Sequence, residues 1–242
     1  MSSVQTLVDT FAGHRLVDLT RRLEPGIPSY PTHPKYFQMP WRSMGDPAEM
    51  NQLVLGEHTG THVDAPSHFV REGEPARRHI DELALTGFMG RAVTMTFGPF
   101  DGEDEFVTRA DLEAWEDEHD TRVREDDLVL IDFQWARRWT KVPEGFAFLE
   151  HWPGLSRDAA EYLRDRSVKA VGTDCVSLDP GDGGGGELAA HYTLLPAGIL
   201  IMENVANLEQ LPPESFVIAL PLPIANGTGS PVRAVALVAQ QP

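Results

Sequence analysis

The chain has 242 residues and a formal net charge of -17, with 41% hydrophobic and 24% charged residues. That length suffices for one sizeable core, while the acidity excludes a nucleic-acid or anionic-membrane surface, which needs clustered Lys and Arg. A single cysteine, Cys175, excludes an internal disulfide framework and a cysteine-based zinc cluster.

The N-terminus, MSSVQTLVDTFAGHRL, has no basic start and no apolar run of seven residues, so a secretory signal is not expected. No segment approaches the length of a membrane span, and the expected location is the cytoplasm. No repeat or Pro/Ser-rich linker divides the chain, so residues 1–242 are expected to form one domain.

In chain order, RLVDL at 15–19 reads as a short strand, and EPGIPSYPTHP at 24–34, with four prolines, as an extended loop. That loop either covers a site or lies on the surface. NQLVLGE at 51–57 and GRAVTMTF at 90–97 read as strands. Residues 100–125 form a strongly acidic stretch that contains a helix at 108–119, N-capped by Thr108. DDLVLIDFQW at 126–135 has the continuous apolar run of a buried strand. A second helix spans 156–166, with Ser156 as N-cap, and strands follow at 168–174, 199–205, 215–222 and 230–239. The pattern is α/β, with mixed strands and few helices.

The stretch EHTGTHVDAPSHF, 57–69, holds His58, His62, Asp64 and His68 within eleven positions. Thr59, Gly60, Thr61 and Val63 disfavour a helix here. A fully extended strand would place positions 58 and 62 about 13 Å apart, too far for two ligands whose bonds to one ion are about 2 Å long. The chain must bend between them, and Gly60 permits the bend. Pro66 then stiffens the path to His68. Imidazole and carboxylate together suit a divalent ion such as zinc or manganese. Such an ion brings the pKa of a coordinated water toward about 7, and a further histidine can carry the proton. Farther along, HYTLLPAGILIMEN places His191 and Glu203 at either end of an apolar run, a weaker signal on its own.

Other candidates carry less chemistry. GDGGGG at 181–186 lacks the Lys and Ser/Thr of a phosphate loop and reads as a mobile loop near the site. Cys175 has no visible histidine partner, and no G-x-S-x-G elbow is present. Asp174 is a candidate to orient a ligand histidine. Trp41, Trp135, Trp139 and Trp152 belong either to the core or to an aromatic pocket.

The run from His58 to Phe69, H-x-G-T-H-x-D-x-P-x-H-F, resembles the signature of the cyclase-type metal-dependent hydrolases, a family that includes bacterial kynurenine formamidases and isatin hydrolases. HWPGLSRDAAEYL, VKAVGTDCVSLDP, the twelve-residue spacing of His191 and Glu203, and GTGSPVRAVAL are similar to the family as well, so the resemblance runs from about Val17 to the C-terminus. It implies a swivelling β/β/α cyclase-like fold and a homodimer or larger homo-oligomer. It also implies one or two Zn2+ or Mn2+ ions. His58, His62 and Asp64 would bind the first, and Asp64 would bridge to a second held by His191 and Glu203. His68 would be the general acid/base. The implied reaction is hydrolysis of a small amide or lactam of the N-formylkynurenine or isatin type. GEHTGTHVDAPSHF and LPIANGTGSP lean toward the isatin branch, and His191 with Glu203 toward the formamidase branch. The alternatives are a cyclase, dehydratase or lactonase on the same fold, and a non-catalytic metal-binding protein.

Overall fold

A buried strand needs both faces covered, and the run Leu128–Asp132 shows how the chain arranges this. The structure is a computed structural model and describes residues 2–42, 45, 47–101, 105–181 and 187–240. The elements in order are α1 (Ser3–Ala12), β1 (His14–Asp18), β2 (Phe37–Pro40), β3 (Asn51–Val54), β4 (His62–Asp64), β5 (Met89–Thr96), β6 (Phe106–Val107), α2 (Arg109–Glu118), β7 (Leu128–Asp132), β8 (Gly154–Leu155), α3 (Arg157–Asp165), β9 (Ala170–Thr173), α4 (Ala189–Leu194), β10 (Leu200–Glu203), β11 (Glu214–Ile218), β12 (Gly229–Pro231) and β13 (Val235–Ala239). Leu128 and Leu130 of β7 point into one core, while Val129 and Ile131 point into a second that contains Leu112, Leu163 and Leu194 of the helices. With each buried aliphatic side chain contributing about 1.5–3 kcal/mol, both faces of β7 are held, as its unbroken apolar run requires.

The main sheet has nine strands in the order β1-β13-β11-β5-β7-β9-β10-β4-β12. β5, β7, β9 and β10 are mutually parallel, and the outer pairings are antiparallel. The expected strand at 230–239 is two strands, β12 and β13, near opposite ends of this order. Only residues 232–234 separate them, a path of at most about 14 Å, so the sheet must curl until its ends meet. Val232 N donates to Thr61 O at 3.0 Å and Leu19 N to Ala234 O at 2.9 Å across that seam. The split has a local cause as well: Pro231 lacks the N–H that a continuous central strand would use.

The two sequence-predicted helices form with their caps. Thr108 accepts from Asp111 N while the Asp111 side chain accepts from Thr108 N at 2.8 Å, and Ser156 accepts from Ala159 N at 3.4 Å. α1, at a stretch for which the sequence suggests no element, packs beside β1 with no buried residue. The expected strand at 51–57 stops at Val54 and pairs with β2 in a separate hairpin rather than in the main sheet. β7 ends at Asp132 because Gln134 turns into the left-handed region at φ 55°. Among the described residues no helix is long and apolar enough to cross a membrane.

Candidate metal centre

The register of β4 against β10 assembles the site. Glu203 lies directly opposite His62, and Ile201 opposite Asp64. His62 and Asp64, two apart on a strand, share one face, so the motif at 58–69 and the distant Glu203 meet across a single strand pair. The bend predicted at Gly60 is present: its φ is +64°, and a Cβ there would lie 2.7 Å from Leu23 Cδ2. As a result the His58 and His62 rings lie 5.2 Å apart, centroid to centroid, rather than a strand's span apart.

The hydrogen bonds on the outer ring nitrogens set what the inner ones can do. A carbonyl only accepts, so His62 Nδ1 donates to Gly60 O at 2.8 Å, and in the neutral ring Nε2 is the lone pair that can bind an ion. His62 Nε2 then faces Asp64 Oδ1 and Glu203 Oε2, each at 3.4 Å. His191, on α4, repeats the arrangement. Its Nδ1 donates to Asp179 Oδ2 at 2.5 Å, and its Nε2 faces Asp64 Oδ2 at 3.3 Å and Glu203 Oε1 at 3.4 Å. His58 Nδ1 lies 2.6 Å from Asp64 Oδ1. With both imidazoles neutral, as an ion requires, lone pairs of His62, His191, Asp64 and Glu203 converge with no donor among the four, and all four residues are buried. His62 Nε2 and Asp64 Oδ2 have no hydrogen-bond partner at all. Buried acceptors facing one another are costly unless a cation lies between them, and this donor set fits a divalent ion of the zinc or manganese kind.

The electrostatics agree. Burial opposes charge on His62, but the facing carboxylates of Asp64 and Glu203, each 3.4 Å from Nε2, outweigh it and raise its pKa to about 10, so without an ion a proton takes the cation's place. His191 is likewise raised against burial by Asp179 and Asp64. Burial also opposes the charged form of Asp64, yet its pKa is lowered, chiefly by His58 and His191. Asp64 belongs to both close donor groups, His58–Asp64–His68 and His62–Asp64–Glu203, whose ligand atoms lie within 4.8 Å of one another.

His68 ends a 3-10 turn, Pro66–His68, and its ring stacks on His58 at 4.1 Å. Burial first, with the neighbouring histidines, lowers its pKa to about 4, so it is neutral at physiological pH. It lines a cavity of about 260 Å3 together with Tyr30, His33, Phe69, Ser177, Leu188, His191 and Glu203. A larger cleft of about 460 Å3 lies between α1 and the strands β11 and β13, but none of the metal-type clusters found among the described residues is there. Tyr30 and His33 come from the proline-rich loop, which therefore supplies a wall of the cavity.

Three expectations need correction or completion. Asp174 does not orient a histidine: it accepts Phe133 N at 3.0 Å and Ala136 N at 2.7 Å, and burial followed by Asp132 raises its pKa to about 7. The carboxylate that orients His191 is Asp179, which the sequence reading missed; its only signal was a place twelve residues before His191, at the end of VSLDP. None of the four tryptophans lines the cavity, since Trp135 and Trp152 are core, Trp139 packs on Phe148 and Trp41 is exposed; Tyr30 and Phe69 are the aromatic walls. Cys175 is buried, and burial raises its pKa well above that of an ordinary thiol, so it is no nucleophile. The GDGGGG reading falls on residues 182–186, and part of the acidic stretch on 102–104, outside the described residues.

The Cyclase family model matches residues 17–180. This chain belongs to the cyclase family. Within it, the chain is 35% identical over 199 residues to an isatin hydrolase of Roseibium aggregatum, covering 78% of this chain and 74% of that one. It is 33% identical over 237 residues to a kynurenine formamidase of Salinibacter ruber, covering 94% and 99%. The solved structure of isatin hydrolase A from Labrenzia aggregata, bound to benzyl benzoate, superposes with a TM-score of 0.88 at 33% identity over 99% of this chain and all of that one. The curled mixed sheet with few helices is thus the cyclase-family fold.

Proposed function

We propose that this cyclase-family chain is a divalent-metal-dependent hydrolase of a small amide or lactam, acting on a C–N bond other than a peptide bond. The observation that carries the reading is the convergence on one buried point of the Nε2 atoms of His62 and His191, whose Nδ1 protons are committed elsewhere, and of the Asp64 and Glu203 carboxylates. Relatives named isatin hydrolase and kynurenine formamidase support the substrate class. His58, His62 and Asp64 would hold one ion, and Asp64 with His191 and Glu203 a second. Zinc and manganese both suit this set. When bound, such an ion supplies Lewis acidity and a more acidic water.

The remaining chemistry belongs to side chains. Neutral His68, at the cavity wall, takes a proton from the attacking water and delivers it to the leaving nitrogen. Phe69 and Tyr30 flank the space where a flat substrate would lie. Residues 1–242 act as one domain, a reading supported by a sheet that draws β1 and β13 from the two ends of the chain. A homodimer is supported by the hairpin face bearing Phe37, Met39, Trp41, Met50 and Val54, all exposed.

The test is the rate of N-formylkynurenine hydrolysis by metal-replete protein, beside a chelator-treated control. A fast rate that chelation abolishes supports the reading on its formamidase side. No rate from metal-loaded protein on this substrate, on isatin or on related lactams would remove the amide-hydrolase assignment.

A further inference from the structure

We infer that Glu57 and Thr228 form a hydrogen-bonded chain that fixes the His58 ring and presents its Nδ1 to the metal; this rests on the metal-centre reading above. Neither residue is among the proposed ligands, and Thr228 reaches the site from the loop before β12. The argument follows one proton at a time. Glu57 Oε2 accepts from Thr228 N at 2.8 Å and from Thr228 Oγ1 at 2.6 Å. A carboxylate accepts and a hydroxyl has one proton, so that proton is committed to Glu57. Thr228 Oγ1 therefore has only lone pairs to offer His58 Nε2, which lies 3.0 Å away. A neutral His58 ring therefore carries its proton on Nε2, which makes Nδ1, 2.6 Å from Asp64 Oδ1, the nitrogen that an ion would take; without an ion, a further proton on Nδ1 donates to that carboxylate.

The wall beside this chain is shaped for the ring. A Cβ on Gly229 would lie 2.6 Å from His58 Cε1 and 3.0 Å from Nδ1, so only glycine leaves room there. On its other side the ring stacks against His68 at 4.1 Å. His58 is thus held by contacts on two sides and by one hydrogen bond that selects its tautomer. His62 and His191 obtain the same result from Gly60 O and Asp179, so in all three rings the far nitrogen keeps a proton and the near nitrogen is the one an ion would take. Glu57 and Thr228 are positioning residues, since they act on the ion through His58.

The test compares Zn2+ and Mn2+ affinity, by competition with a chromogenic chelator on metal-stripped protein, for wild type, Thr228→Val, Thr228→Ser and Glu57→Ala. Thr228→Val keeps the shape and removes the hydroxyl. It is expected to weaken binding by about 10–100-fold, whereas Thr228→Ser should stay within a few-fold of wild type. Long-range 1H–15N spectra of the Zn2+-loaded protein supply the second readout and should find the His58 proton on Nε2 in wild type. If Thr228→Val does not fold, Glu57→Ala and the wild-type spectrum decide. Wild-type affinity in Thr228→Val, an equal loss in Thr228→Ser, or a His58 proton on Nδ1 would each overturn the chain while leaving the metal centre standing. A wild-type protein that binds neither ion would overturn the metal-centre reading itself, and the chain with it.

Discussion

Asp179 Oδ2 lies 2.5 Å from His191 Nδ1, and Asp179 Oδ1 accepts the Ala190 amide at 2.6 Å. One buried carboxylate therefore fixes both the start of α4 and the ring that α4 carries. Asp179→Ala should free that ring and weaken metal binding by about 10–100-fold. The orphaned amide and imidazole should also destabilise the fold by about 1–3 kcal/mol. Chelator competition and a denaturant melt read the two effects separately, and an unchanged affinity would show that His191 needs no such anchor.

His68→Ala tests the division of labour. The ring stacks on His58 and lines the cavity, and it is neutral because burial brings its pKa to about 4. The variant should keep its metal and lose about 10²–10⁴-fold in turnover. Metal analysis beside kcat checks this. Full activity would remove His68 from the chemistry, and lost metal would make it a ligand.

Metal binding should tighten as pH rises. The carboxylates around His62 raise its pKa from 6.5 to about 10 in the metal-free protein, despite burial. The sign follows from linkage. The folded pKa lies above the unfolded one, so protonated His62 contributes stability that is complete below pH 6.5 and is lost as pH rises through about 10. An ion needs the neutral imidazole and must displace that proton. Affinity should rise about tenfold per pH unit for each proton displaced at neutral pH. Calorimetry in buffers of different ionisation enthalpy reads the released protons, and zero release would contradict the assignment of His62 as a ligand.

Gly60→Ala should harm the fold and the site together. The residue sits at φ +64°, and an added Cβ would lie 2.7 Å from Leu23 Cδ2. The backbone alone costs about 1–2 kcal/mol for an L-residue, and the overlap adds to it. A urea melt should show the loss, with weaker metal binding alongside. A variant as stable as wild type would mean that the bend tolerates a side chain.

Local sequence was enough for several parts of this protein. The apolar run of β7, the caps Thr108 and Ser156, and the bend at Gly60 were legible because each depends on residues a few positions apart, through side-chain period, a backbone amide within reach or a restricted dihedral. The grouping of His58, His62, Asp64 and His68 was legible for the same reason. What the tertiary structure alone decided is which distant residues meet. The pairing that sets Glu203 opposite His62, the closure that splits 230–239 into β12 and β13, and the partners Asp179, Glu57 and Thr228 all join residues far apart in the chain or on different elements. Strand register and a hydrogen bond across a folded core are settled by the burial of both sheet faces and by the need of every buried polar atom for a partner. Neither leaves a periodicity in the sequence.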